Sequence, residues 1–132
     1  TGDFQDLPAW RKTTAEFATT LHREYGQHVI TPMTLVERAY REEVFEHLTS
    51  AGVPLLHVFL DVPADELRRR ITDQVLDPYN PEADAQARAF RLRNVDRCVA
   101  ARATLPVDTL VLHGDRHPPE ELADQVLAAL SD

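Results

Sequence analysis

Apolar and small residues recur at helical spacing from Trp10 through Thr14, Phe17, Ala18 and Leu21 to Tyr25. The spacing predicts a first helix with that stripe inward. Asp6 is placed to cap it, Pro8 suits its first turn, and Gly26 suits its stop. His28 to Thr31 predicts a short strand, closed by Pro32. Residues 37–51 predict a second helix with Tyr40, Val44, Phe45 and Leu48 inward, ended by Gly52. Leu55 to Leu60 is almost continuously apolar, the pattern of a parallel strand covered on both faces. Asp61-Val62-Pro63 is a turn, and residues 64–72 read as an arginine-rich helix. Residues 77–82 hold two prolines and read as a loop, and residues 84–103 as a long charged helix. Thr109 to Leu112 predicts a third strand. Pro118-Pro119 opens a last helix with Leu122, Val126, Leu127 and Leu130 on its inner face.

Short apolar strands alternating with amphipathic helices imply βαβ units and an open parallel sheet. Such sheets take ligands at the carboxyl ends of their strands. That directs attention to Pro32-Met33-Thr34, Asp61-Val62 and His113-Gly114-Asp115.

A chain of 132 residues has room for one domain with a modest core. With 14 Lys+Arg against 22 Asp+Glu, it is poorly suited to non-specific nucleic-acid binding. The one cysteine, Cys98, excludes an internal disulfide framework and suits a reducing, cytoplasmic setting. No apolar run reaches membrane-spanning length, and no leader is recognisable. Glu120, Glu121 and Asp124 on the last helix suit an anionic lipid surface badly, so peripheral membrane contact is not expected either. Thr1-Gly2-Asp3 reads like a cut into a longer protein.

Three segments carry a resemblance. Gly2-Asp3-Phe4-Gln5-Asp6-Leu7-Pro8-Ala9-Trp10-Arg11 resembles the signature before the first long helix of tunicamycin-resistance-type proteins. Val29 to Val36 resembles the strand-and-turn signature of the same family. Gly52 to Ile71, ending Leu67-Arg68-Arg69-Arg70-Ile71, is similar to the strand and lid-leading helix of small-molecule and nucleoside-monophosphate kinases more widely. The resemblance implies an α/β P-loop kinase fold, a three-layer open parallel sheet with helices on both faces and strand order 2-3-1-4-5. Its lid would cover about residues 68–97 of a single, partial domain spanning 1–132. It also implies a glycine-rich loop with Lys and Ser/Thr upstream, yet no Gly-x-x-x-x-Gly-Lys-Ser/Thr occurs among these residues. On that reading the first strands lie outside the chain. The segments at 28–32 and 55–60 would then flank an empty slot, roughly 9–10 Å apart, twice the ordinary strand spacing.

The resemblance also implies roles for particular residues, each with a plainer alternative. Arg70, just before Ile71, inherits the arginine that stacks its flat guanidinium on adenine. Arg68, Arg69 and Arg70 point about 100° apart and cannot all face one ligand, and a solvated charged face is the plainer reading. Gly114 inherits the turn whose backbone meets the adenine edge, or is a plain turn glycine. Arg88 and Arg91, three apart on the long helix, are lid candidates for the transferring phosphoryl group, or simply pair with Glu82, Asp84 and Asp96. Asp3 is a candidate proton acceptor for a substrate hydroxyl. Gln5, Trp10, Arg11 and Thr34 are candidates for holding the acceptor. Trp10 reads more readily as core, and Asp6, the other carboxylate here, more readily as an N-cap; Thr34 reads equally as a turn residue, and Asp61 as the cap of the following helix. The six histidines show no metal-ligand spacing, and Cys98 reads as a packed residue.

The implied function is an ATP-binding protein, a phosphotransferase using ATP and Mg²⁺ on a small molecule or nucleoside-like antibiotic. Two alternatives stay open. One is a nucleotide- or drug-sequestering protein without turnover, the other a metabolic nucleoside or nucleotide kinase.

Overall fold

Helix α1 (Pro8–Tyr25) begins on a proline in its first turn and stops at Gly26, whose φ of 61° is the left-handed conformation that glycine adopts without a Cβ clash. It is the first long element of a computed structural model that describes residues 2–131. The chain divides into two compact units, Thr1–Leu56 and His57–Asp132.

In the first unit, α1 packs on α2 (Arg38–Ser50). Ala15 of α1 meets Val44 and Leu48 of α2, with Ala18, Leu35, Phe45 and Val53 around them. The inward face of α2 carries Val44 and Leu48 as its periodicity predicts, with Tyr40 and Phe45 half-buried, but also Arg41, which is 1% exposed. That of α1 is turned: Arg11, Ala15 and Thr19 are buried, while Phe17 and Tyr25 are 63% and 70% exposed. Small residues at i and i+4 let the helix axes approach closely, and that approach selects the Ala15–Thr19 stripe over the bulkier one. Helix α2 ends in a Schellman motif. The Val53 N–H donates to Leu48 O at 3.0 Å and the Gly52 N–H to Thr49 O at 2.9 Å. Val53 then packs against the cluster containing Leu48, the apolar contact that accompanies this cap. Arg23, near the end of α1, donates to Ala51 O at 2.9 Å, placing a cation on the carbonyl end of α2.

The strand predicted at 28–32 is absent. Residues 27–36 form no regular element, and residues 28–32 are exposed. A strand needs a neighbour to take its N–H and C=O groups, and none pairs with this segment among the described residues. With no strand at 28–32, the expectation of a slot flanked by two strands has no footing.

The second unit carries the sheet. Strand β1 (Val58–Asp61) pairs in parallel with β2 (Leu110–His113), Val58 opposite Leu110 and Asp61 opposite His113. Bonds from Leu110 N–H to His57 O and from Gly114 N–H to Asp61 O extend the ladder at both ends. Between the strands run α3 (Ala64–Asp73) and α4 (Pro81–Ala100), followed by a 3₁₀ turn, Ala101–Thr104. A parallel pair needs a crossover of this kind. Helix α4 starts earlier than its charge pattern indicates, because Asn80 accepts from Ala83 N–H and Pro81 fits the first turn. Ile71, Val95, Ala101 and Leu112 are the buried apolar residues of this unit. Helix α5 (Pro119–Leu130) completes it. The architecture is α/β, mostly helical, with a small parallel sheet.

Candidate functional site

The carboxyl ends of β1 and β2 open into a pocket of about 570 Å³, within the range of small-ligand sites. Side chains alternate along each strand, so Leu60 with Val62, and Leu112 with Gly114, reach the same face and line it. Helix α5 contributes Leu122 and Val126, and the turn before it contributes His117 and Pro118. Arg70 of α3 closes one side. The walls are almost wholly apolar, with Arg70 and His117 the polar side chains among them.

Arg70 and Gly114, both proposed from the sequence for contact with a nucleotide base, thus lie on one pocket although 44 positions apart. Glu66 takes the Arg70 Nε–H at 2.6 Å and also accepts from Arg69. These bonds, Arg69 first and Arg70 next, hold the Glu66 carboxyl down at about 2. Arg68 leaves the group, bonding Asp96 of α4 at 2.5 Å. Arg69 and Arg70 thus share Glu66, with Arg69 also on Asp73, while Arg68 reaches across to α4. At Gly114 an added Cβ would stand 3.0 Å from Val62 Cγ2, so glycine suits the tight approach of this turn to the end of β1. His117 and Pro118 were not proposed for the site from the sequence, where Pro118 is read only as opening the last helix. Neither carries a motif, and only the turn after β2 brings them to the pocket.

Asp61 does not cap α3. By alternation it faces away from the pocket, where its carboxylate stands 3.5 Å from Arg102 Nε and 3.9 Å from His113 Nδ1.

The lid candidates have local partners. Asp84, only 7% exposed, accepts from the backbone N–H groups of Leu76 and Asp77 and pairs with Arg88 at 2.5 Å. The two backbone bonds are the main reason its carboxyl lies below the usual range. Arg88 also donates to Gln74 O, and Arg91 donates to Gln74 Oε1 at 2.9 Å. Asp84 and the two arginines thereby pin residues 74–77 onto α4. Of the plainer pairings, Arg88 with Asp84 is the one formed. Arg91 keeps Nε and one terminal nitrogen buried with no hydrogen-bond partner among the described residues.

The acceptor candidates belong to the first unit. Asp3 caps the 3₁₀ turn Phe4–Asp6, accepting from Gln5 N–H, while Asp6 accepts from Asp3 N–H in the reciprocal bond of a capping box. Asp6 therefore does not cap α1 as its position suggests: Leu7 precedes that helix with no side-chain cap, and the capping box belongs to the 3₁₀ turn. Gln5 is buried. Its Nε2 donates to Thr34 O at 3.0 Å, and its Oε1 has no hydrogen-bond partner among the described residues. Arg11 is 7% exposed, with Nε on Glu43 and one terminal nitrogen on Gln5 O, both at 2.6 Å. Its guanidinium lies 4.1 Å from the centre of the Tyr40 ring. Tyr40 in turn donates to Asp6 at 3.1 Å, and that bond raises its phenol above the ordinary range. Asp3, Gln5, Arg11 and Thr34 are so linked into one network, joined by Asp6, Tyr40 and Glu43, which were not selected from the sequence for such contacts. Trp10 stands beside it, half-buried on the first turn of α1.

Among the described residues no three His, Cys, Asp or Glu side chains gather as metal ligands, and no helix is long and apolar enough to cross a membrane. Magnesium in a phosphate site is held largely by phosphate oxygens and water, so such a site fits few protein carboxylates. Cys98 is partly buried on α4, which raises its thiol above the free value.

A parallel strand pair joined by helices, with a ligand-sized apolar pocket at the strands' carboxyl ends, is the arrangement in which open α/β sheets take their ligands. The chain matches the AAA domain family over residues 2–107 and belongs to it. That family is P-loop NTPase-like and kinase-type, and its members generally bind nucleotide with Mg²⁺. No curated protein and no solved structure matches the chain.

Proposed function

We propose that this protein binds ATP, with the adenine in the pocket between Arg70 and Gly114, and serves as an ATP-dependent phosphotransferase on a small molecule. The observation that carries the reading is that these two residues line one apolar cavity at the carboxyl ends of the strands. An apolar slot rewards a flat base, and a planar guanidinium at its side can stack on that base. ATP would supply the phosphoryl group and Mg²⁺ would offset its charge. Arg91, with two buried nitrogens lacking hydrogen-bond partners among the described residues against one on Arg88, is the better lid candidate, and it has no carboxylate bond such as Arg88 makes to Asp84 among those residues. Asp3, Gln5, Trp10, Arg11 and Thr34 are proposed for the acceptor side. Gln5 Oε1, with no hydrogen-bond partner among the described residues, supports this, since a buried acceptor without a donor is costly unless a ligand donates to it. The likeness of residues 2–11 and 29–36 to tunicamycin-resistance-type proteins makes a nucleoside-like antibiotic the first acceptor to try. The wider three-layer sheet, the single domain with its lid at about 68–97 and a cytoplasmic location belong to the same proposal.

Adenosine and ATP titrated into the ¹⁵N-labelled chain should move signals of Arg70, Gly114 and Leu122. Shifts elsewhere, or none, would remove the adenine assignment. Phosphoryl transfer is tested by incubating the longest form the gene encodes with ATP, Mg²⁺ and candidate acceptors, tunicamycin among them. A second reading of the same apolar pocket is binding without turnover. Stoichiometric capture of the drug with no phosphorylated product would select it.

A further inference from the structure

We propose that His117, held in one tautomer by Glu121, reads the six-position of the bound purine as a hydrogen-bond acceptor and so selects a 6-amino base. The inference rests on the adenine reading of the pocket and adds what discriminates within it.

Apart from Arg70 and His117, the side chains lining the pocket are aliphatic, proline or glycine. Arg70 offers only donors, and its Nε is already on Glu66 at 2.6 Å. His117 is different. Its Nδ1 lies 2.9 Å from Glu121 Oε2. An ionised carboxylate can only accept, so Nδ1 carries the hydrogen. In the neutral ring that leaves the lone pair on Nε2. Glu121 does not line the pocket and acts by setting the tautomer; it is a positioning residue.

The backbone works in the same direction. Pro118 and Pro119 both line the pocket and have no N–H. The rim after His117 therefore lacks the two backbone donors that other residues would supply. A rim short of donors, with an imidazole lone pair on it, suits an exocyclic amine. At this stretch of the rim a 6-oxo base is disfavoured, because its oxygen would face the His117 lone pair rather than a donor.

The experiment titrates the 132-residue chain with three nucleosides differing at one position: adenosine, purine riboside with hydrogen at position six, and inosine with oxygen there. Binding is read from the pocket leucine and valine methyl signals, and no phosphate site is required. Adenosine should bind about 3–10-fold more tightly than purine riboside, the span of one net hydrogen bond, and inosine should bind no better than purine riboside. Glu121→Ala should raise the Nε2–H population seen in imidazole ¹⁵N shifts. It should also erase most of the adenosine preference while leaving purine riboside affinity in place. His117→Leu, which keeps an apolar wall, should erase the preference as well. Equal binding of adenosine and purine riboside, a preference for inosine, or an unchanged preference in Glu121→Ala would overturn the proposal while leaving nucleoside binding intact. Failure of all three nucleosides to bind would overturn the adenine reading and this inference together.

Discussion

Replacing Arg11 with methionine separates two roles that the same residue could serve, ligand contact and structural clamp. The guanidinium is 7% exposed and makes two short charge-assisted hydrogen bonds, to Glu43 and to the carbonyl of Gln5. Bonds to charged groups contribute about 1.5–3 kcal/mol each. The Glu43 side chain is 46% exposed and regains water once its partner is gone, so that bond is discounted to about 1 kcal/mol or less. The Gln5 carbonyl loses a buried donor and bears about 1–3 kcal/mol for it. Methionine retains most of the apolar stem, so packing is largely kept. The balance is a loss of about 2–4 kcal/mol in the first unit. Trp10, the single tryptophan, is adjacent in sequence and reports that unit's unfolding by fluorescence. At a urea slope of about 1.5 kcal/mol per M, a loss of about 3 kcal/mol lowers the midpoint by roughly 2 M. In a double-mutant cycle with Glu43→Gln, the pair should couple by about 0.5–1.5 kcal/mol. A midpoint unchanged to within about 0.3 M would refute the clamp. If acceptor binding vanished at the same time, Arg11 would be a ligand contact after all.

Two further predictions concern the second unit. Asp84→Ala removes the acceptor for the Leu76 and Asp77 N–H groups, so amide exchange in residues 74–80 should accelerate by at least tenfold while α5 keeps its protection; uniform acceleration throughout the unit would show global loosening instead. Glu66 is held at about 2 against 4.5 for a free side chain, so its stabilising effect is complete above the unfolded value and disappears as pH falls from about 4.5 towards 2. Glu66→Gln should accordingly flatten the acid limb of the unfolding curve in that window, and an acid limb identical to that of the parent would contradict the assignment.

Much of the local structure was legible in the residues. Gly26 and Gly52 mark the helix ends because both occupy positive φ, which other residues rarely adopt. Pro8 and Pro119 stand in first turns because the N–H they lack has no intrahelical partner there. The parallel character of β1 and β2 followed from their apolar runs and the helices between them. Errors arose where neighbours outweigh pattern. Periodicity names the apolar stripe of α1, but the close approach of α2 buries Arg11, Ala15 and Thr19 instead. Residues 28–32 have strand composition, yet a strand exists only by pairing, and composition says nothing about whether a partner is present.

The candidate sites divide along the same line. Arg70 and Gly114 were reached from motifs, each on its own. That they line one pocket depends on the parallel register of Asp61 with His113, a contact between residues 52 positions apart. His117 and Glu121 carry no motif and become interesting only where a turn sets them at a cavity. Buried arginines illustrate the limit most clearly. A sequence marks Arg11 as charged and suited to solvent or ligand, whereas the fold encloses it among Glu43, Gln5 and Tyr40. Local conformation is set by the short-range sterics and hydrogen bonding of neighbouring residues, which a sequence records directly. Which polar groups share a cavity, and which spend their hydrogen bonds on one another, is set by contacts between distant residues, and only the folded chain decides them.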